Sequence, residues 1–235
     1  MITRRHFVST LPLLAATLST GARAAATECA VFTRERQKAT SPDDALRMLK
    51  EGNERFVTGK TVNCDLMAQV RETASGQAPF AAVVGCIDSR VPPEIVFDQQ
   101  IGDMFCARVA GNFVNLDIIG SLEFATKLAG TPLIVVLGHS ECGAIKGAVD
   151  GAKLGNLTAM LQHFNPAIAA SKSVSGDHNS KNKTYVQAVA DANAKIAAKD
   201  LTAKSKVIRE LVEKKQLRIV SAMNEISTGR VTFFD

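Results

Sequence analysis

The stretch PLIVVLG, residues 132–138, is a run of apolar side chains that ends in a glycine. A shorter run of the same kind, AAVVG, occupies residues 81–85. Continuous apolar runs, as opposed to alternating ones, are typical of parallel strands that are covered by helices on both faces of the sheet. These two stretches therefore predict the centre of a buried sheet.

Strand and helix patterns alternate along the rest of the chain. We expect further strands at residues 104–110, 217–223 and 230–234, and the last two form a terminal pair joined by a turn with Ser-Thr-Gly. The helices are predicted at residues 41–56, 116–130, 157–164 and 186–212, with one more starting within 142–149. The segments predicted to be polar and without a core role are 27–40, 57–79 and 171–183. This alternation predicts an α/β fold with a mainly parallel central sheet flanked by helices.

Residues 1–26 have the pattern of an export signal. Arg4 and Arg5 precede the apolar run TLPLLAATL, and the small-residue segment GARAAA follows it. This order predicts a twin-arginine signal, delivery to the periplasm and cleavage near residue 25 or 27. A buried first helix is the alternative, but Pro12 interrupts the apolar run. Residues 27–235 are then expected to be a single domain that does not enter the membrane.

Composition gives no support for a nucleic-acid partner. The chain has 46% hydrophobic and 22% charged residues, which is typical of a globular protein, and a formal charge of +5. Loss of Arg4, Arg5 and Arg23 with the signal lowers this charge to +2, so the basicity belongs mostly to the leader. Five cysteines remain, and an exported protein usually pairs some of its cysteines. Whether Cys29 and Cys64 form such a pair is left open by the sequence.

Side chains that can bind a metal follow both apolar runs. Cys86 and Asp88 come after the first run, and His139 and Cys142 come after the second. Because the carboxyl ends of adjacent parallel strands meet at one edge of a sheet, the two sets are expected to lie together. Two thiolates and an imidazole form a soft ligand set that selects zinc. We therefore predict a zinc site made by Cys86, His139 and Cys142.

Asp88 and Arg90 are expected to decide whether this site is open or closed. Asp88 could be a fourth ligand, which gives a closed site, or it could stand beside the metal while water holds the fourth position. A guanidinium two residues away can hold both oxygens of the carboxylate, so that Asp88 orients a water which the metal converts to hydroxide. Taken singly, Cys86 could be a buried thiol, and Asp88 with Arg90 could be an ion pair within a turn. His139 could be a helix cap.

The motif C-x-D-x-R in GCIDSRVPPE, followed by H-x-x-C in GHSECGA, resembles the β-class carbonic anhydrases. The similarity extends through GDMFCARVAGN and GSLEFA to the terminal TGRVTFF. The resemblance implies one Zn²⁺ per chain, held by Cys86, His139 and Cys142. It also implies that Asp88 and Arg90 form a catalytic dyad.

The same resemblance implies an activity and an assembly. The activity is that of a lyase, the reversible hydration of carbon dioxide to bicarbonate and a proton by zinc-bound hydroxide. The assembly is a homodimer or homotetramer in which the active site lies at the dimer interface. An N-terminal helical arm is expected to be exchanged between the subunits.

Finer features resemble the branch of the family whose site is permanently open. Val83 stands where members with a non-catalytic bicarbonate pocket carry tryptophan, and this chain has no tryptophan. Gln77 and Phe105 match positions that, in the open branch, line the pocket from the neighbouring subunit. Two residues depart from the family pattern, because Ile87 replaces a serine and Cys106 replaces an aliphatic residue.

Two other functions are left open at this point. The same scaffold and zinc site can support hydrolysis of carbon disulfide or carbonyl sulfide, and the metal ligands do not discriminate among these linear apolar substrates. A non-catalytic zinc-binding or bicarbonate-binding protein is the other alternative. Arg90 and the water-orienting position of Asp88 argue against it.

Overall fold

A five-stranded sheet forms the centre of the computed structural model, which describes residues 29–234. The strands are β1 Ala81–Gly85, β2 Met104–Arg108, β3 Leu133–His139, β4 Arg218–Asn224 and β5 Val231–Phe234. They lie in the order β2-β1-β3-β4-β5, and only β5 is antiparallel to its neighbour. The predicted α/β fold with a mainly parallel sheet is confirmed. The predicted signal, residues 1–26, lies outside the described residues.

Helices surround the sheet in the described part of the chain. They are α1 Arg34–Ala39, α2 Pro42–Val57, α3 Leu66–Thr73, α4 Pro93–Val96, α5 Leu116–Glu123, α6 Gly143–Val149, α7 Gly155–Leu161, α8 Asn165–Ala170, α9 Lys183–Lys204 and α10 Lys206–Glu213. A π-helical turn, Phe124–Leu128, continues α5, and a 3₁₀ turn, Gln162–Phe164, follows α7. In the described residues, no helix is long and apolar enough to cross a bilayer.

Alternating side chains of the central strands divide the core into two layers. Val83 and Val135 pack on one face, with Leu49 of α2. Val84 and Val136 pack on the other face, with residues of α5, α9 and α10. Full burial on both faces explains why β1 and β3 have continuous apolar sequences.

The expectation that residues 27–40 form a polar arm outside the core was wrong. Phe32 is buried and its ring lies 4.9 Å from that of Phe80. Gln37 of α1 is also buried, and its Nε2 donates a hydrogen bond to the carbonyl of Pro79 at 2.6 Å. A polar side chain can therefore occupy the core here because a backbone acceptor at the amino end of β1 satisfies it.

Two other boundaries differ from the sequence expectations. The supposed polar connection at residues 57–79 contains α3, whose N-cap Asp65 accepts hydrogen bonds from two backbone amides. The helix expected at residues 186–212 divides at Ser205, which caps α10. By contrast, the predicted cap Ser41 of α2 is confirmed, with its hydroxyl accepting from the amide of Asp44.

A disulfide joins Cys29 to Cys64. It ties the segment before α1 to the loop that precedes α3, and the closed loop contains all of α1 and α2. The helix α2, predicted as the N-terminal arm, packs into the core of its own chain through Leu46 and Leu49. Its exchange between subunits stays a prediction.

Candidate metal centre

The three predicted metal ligands meet at the carboxyl end of the sheet. Cys86 follows β1 directly, His139 is the last residue of β3, and Cys142 precedes the first turn of α6. Because β1 and β3 are adjacent parallel strands, the loops after them share one edge. One ligand atom from each residue lies within 4.8 Å of the others, and all three residues are buried. The three side chains therefore meet at one edge of the sheet, as predicted.

The imidazole of His139 is oriented for metal binding. Its Nδ1 lies 2.9 Å from the carbonyl oxygen of Ser140, so Nδ1 carries the proton and donates it to that oxygen. Its Nε2 is buried and has no hydrogen-bond partner. A buried nitrogen lone pair that lies near two thiols and has no hydrogen-bond donor fits a metal ion, which would satisfy it.

Each of the two thiols shifts the pKa of the other. Contact with the Cys142 thiol lowers the pKa of Cys86, and backbone amides of Gly111 and Asp88 help by donating to its sulfur at 3.2 and 3.4 Å. The pKa of Cys142 is raised by its hydrogen bond to Cys86, by burial, and by the repulsion between two neighbouring thiolates. A dipositive ion removes that repulsion and deprotonates both groups. The buried set of two sulfurs and one nitrogen therefore fits zinc.

Asp88 lies beside this trio and is held by Arg90. The guanidinium donates through Nε to Oδ1 at 2.9 Å and through Nη2 to Oδ2 at 2.7 Å, and the Arg90 amide also donates to Oδ1. These contacts lower the pKa of Asp88 well below its usual range, so it is a carboxylate. Its Oδ2 is 3.9 Å from Nε2 of His139. The carboxylate oxygen nearest to His139 is thus also the one that accepts a hydrogen bond from Nη2 of Arg90.

A second arginine, which sequence reasoning missed, supports the same loop. Arg108 stands at the end of β2 and donates to the carbonyl oxygens of Cys86, at 2.8 Å, and Asp88, at 2.6 Å. It therefore fixes the backbone on both sides of Ile87. The position of Arg108 could have indicated this role. An arginine at the carboxyl end of a strand parallel to β1 can reach the loop that follows β1.

The predicted pocket residues do not reach the trio within this chain. Gln77 is exposed and precedes β1, whereas the trio follows it. Phe105 is level with Ala82, about 13 Å along the strand from Cys86. Cys106 is partly buried and packs against the core.

Sequence comparisons find relatives that are named carbonic anhydrases. Residues 81–231 match the sequence model of the family described as Carbonic anhydrase. The chain is 35% identical over 202 residues to Carbonic anhydrase 2 of Mycobacterium tuberculosis, which covers 83% of this chain and 94% of that protein. It is 42% identical over 119 residues to the carbonic anhydrase of Mycolicibacterium smegmatis, which covers 50% of this chain and 58% of that protein.

Comparisons of structure agree. The fold is similar to that of the β-carbonic anhydrase CafA of Aspergillus fumigatus, with a TM-score of 0.64 and 26% identity over 72% of this chain and 81% of that chain. It is also similar to one of two tetrameric β-carbonic anhydrases of Sordaria macrospora, with a TM-score of 0.63 and 27% identity over 70% and 84% of the two chains.

Proposed function

This chain belongs to the β-class carbonic anhydrases, and from that premise we propose that it catalyses the zinc-dependent, reversible hydration of carbon dioxide to bicarbonate and a proton. The observation that carries the proposal is the buried trio of Cys86, His139 and Cys142 with the Asp88–Arg90 pair beside it. Zinc, when bound by these three residues, supplies a Lewis acid that makes hydroxide available near neutral pH, as in the unrelated three-histidine class of carbonic anhydrases.

Asp88 and Arg90 have distinct roles in this proposal. Arg90 keeps the Asp88 carboxylate ionised and turned away from metal coordination, through two hydrogen bonds to its oxygens. The carboxylate then accepts a hydrogen bond from the attacking water and directs a lone pair of that water towards the carbon of carbon dioxide. The geometry supports an open site, in which three protein ligands leave one position free.

A direct test is stopped-flow hydration of carbon dioxide by protein of measured zinc content. We expect the rate to rise in proportion to bound zinc. A sample with one zinc per chain and no hydration would contradict the proposal and support a non-catalytic role. Parallel assays with carbon disulfide and carbonyl sulfide test the hydrolase alternative, which the comparisons do not favour.

The proposal includes a homodimer or homotetramer, in which a neighbouring subunit supplies Gln77 and Phe105 to each pocket. Support comes from the apolar surface around Phe105. Phe124 is 51% exposed and its ring lies 6.1 Å from that of Phe105, and both residues line a groove of about 550 Å³ formed by β2, α5 and the following π-helical turn. Large exposed apolar patches mark protein interfaces. The Sordaria relatives are tetrameric.

We also propose that the mature enzyme works in the periplasm, after export by the twin-arginine route. The support is the Arg4–Arg5 leader together with the Cys29–Cys64 disulfide, since disulfides persist in oxidising compartments. Cys86 and Cys142 are free thiols, and zinc coordination would shield them from oxidation there.

A further inference from the structure

Two consecutive hydrogen bonds link the long helix α9 to the sulfur of Cys86. The Nδ2 of Asn193 donates to the carbonyl oxygen of Gly111 at 2.8 Å. The amide of Gly111 donates to Sγ of Cys86 at 3.2 Å. Asn193 and Cys86 are each only 4% exposed, so both contacts lie in the protein interior.

Gly111 cannot by itself keep its backbone amide directed at the sulfur of Cys86. Its φ is +82°, and a Cβ built on it would lie 2.4 Å from the ring of Phe164, so no other residue fits there without displacing that ring. A glycine has no side chain to restrict its backbone, so its direction must be fixed from outside. Asn112, which follows, also has a positive φ of +47°, in the left-handed region that asparagine adopts more readily than most residues.

Asn193 supplies the missing restraint. It lies in the interior of α9, where asparagine is a poor helix former. Its amide nevertheless points to a backbone carbonyl of another segment, as a polar group with a fixed partner does. With the carbonyl of Gly111 held, the amide of the same residue stays aimed at Cys86.

We propose that Asn193 is a positioning residue for the metal centre, which acts through Gly111 on the Cys86 thiolate. The inference rests on the proposed function only in taking Cys86 as a metal ligand. An N–H group that donates to a coordinated thiolate withdraws electron density from sulfur and fixes its place. Without it, Cys86 shifts and the zinc site becomes weaker. Loss of such a supporting partner costs roughly 10- to 100-fold in metal affinity.

The test compares two isosteric substitutions of buried amides. Asn193→Asp removes the donor to Gly111. Gln37→Glu removes an equivalent donor to Pro79, which lies beyond the opposite end of β1 from Cys86, and it serves as the matched control. The dissociation constant for zinc is measured by competition with a chromophoric chelator. The cobalt(II)-substituted proteins report the sulfur-to-metal charge-transfer band.

We expect Asn193→Asp to raise the zinc dissociation constant roughly tenfold or more and to move the charge-transfer band to longer wavelength, because the thiolate becomes the better electron donor. Gln37→Glu should leave both unchanged. Asn193→Ala, which introduces no charge, should act in the same direction if the aspartate variant does not fold. Equal effects of the Asn193 and Gln37 variants, or an unchanged band in both Asn193 variants, would overturn the proposal. Neither measurement needs substrate, so the result is independent of whether the enzyme hydrates carbon dioxide.

Discussion

Arg90 binds both carboxylate oxygens of Asp88, while one of those oxygens lies 3.9 Å from the metal-binding nitrogen of His139. The guanidinium and a metal ion at the trio would therefore compete for the same carboxylate. Asp88 is mostly buried, whereas the side chain of Arg90 is half exposed. The arginine is thus the partner that can be removed with least damage to the fold.

The first prediction is that Arg90→Ala keeps about one zinc per chain but loses most carbon dioxide hydration near neutral pH. A freed Asp88 relieves its uncompensated charge by binding the metal, which closes the position that water needs. Metal analysis and stopped-flow hydration measure the two effects. X-ray absorption should show a carboxylate oxygen of Asp88 at the position that water holds in the parent.

The control for this prediction is Asp88→Asn in the Arg90→Ala background, which should weaken the new oxygen contact. Assembly of each variant is checked by light scattering, so that misfolding is not mistaken for closure. Hydration by Arg90→Ala at close to the parent rate would mean that something other than Arg90 keeps the site open.

The second prediction concerns the ligands. Cys86→Ser, His139→Ala and Cys142→Ser should each lose zinc and activity together, because each removes one of three protein ligands from a buried site. Cys106→Ala, a change of a core cysteine outside the trio, should keep both. Zinc per chain is measured by mass spectrometry for each variant. A value near one in Cys142→Ser would show that Cys142 is not a metal ligand.

The third prediction concerns the disulfide. Replacing Cys29 and Cys64 together by serine should lower the free energy of unfolding by up to about 4 kcal/mol, because the crosslink spans 35 residues and restricts the unfolded chain. Denaturant unfolding of the mature enzyme measures this. Zinc content and hydration should be unchanged, since the trio does not include either residue. A reductant should destabilise the parent and leave the double variant unaffected.

The fourth prediction is a pH dependence of stability from Asp103. This residue is buried, its Oδ1 has no hydrogen-bond partner, and burial raises its pKa to about 6. The folded protein therefore holds a proton that the unfolded chain releases near pH 4, so this group lowers stability as pH rises from about 4 to 6. As pH rises from about 4 to 6, the free energy of unfolding of Asp103→Asn should increase by up to about 3 kcal/mol relative to that of the parent.

Unfolding of the parent and the Asp103→Asn variant at several pH values from 3.5 to 8, roughly spanning both titrations, gives the comparison. Asp98→Asn provides a contrast, because the Asp98 carboxylate is paired with Arg55 and its loss should destabilise the protein at pH 7. A constant difference between the parent and Asp103→Asn at every pH would contradict the assignment.

The fifth prediction concerns export. Replacing Arg4 and Arg5 by lysine should leave active, zinc-containing precursor in the cytoplasm, because the twin-arginine route is read from that pair. Cell fractionation followed by a hydration assay measures the distribution. An undiminished periplasmic yield would show that the leader works by another route.

The parts of the fold that follow from local sequence were predicted, and those that depend on distant partners were not. β1 and β3 are continuous apolar runs, and the trio follows from the rule that adjacent strand ends meet. Gln37 and Phe32 lie in a segment that is polar overall, and their burial depends on Pro79 and Phe80, which are distant in sequence. Arg108 and Asn193 were missed for the same reason, since a buried hydrogen bond to a distant backbone carbonyl leaves no periodic pattern.

The positions of Cys86 and His139 at the ends of neighbouring strands have a consequence for biosynthesis. The two ligands are separated along the chain by α4, β2 and α5, so a growing polypeptide that has exposed only Cys86 has no zinc site. The ion can be captured only after β3 has emerged from the ribosome and paired with β1. Metal uptake is therefore expected to follow the pairing of β1 with β3, so that a chain which carries zinc has already formed the centre of its sheet.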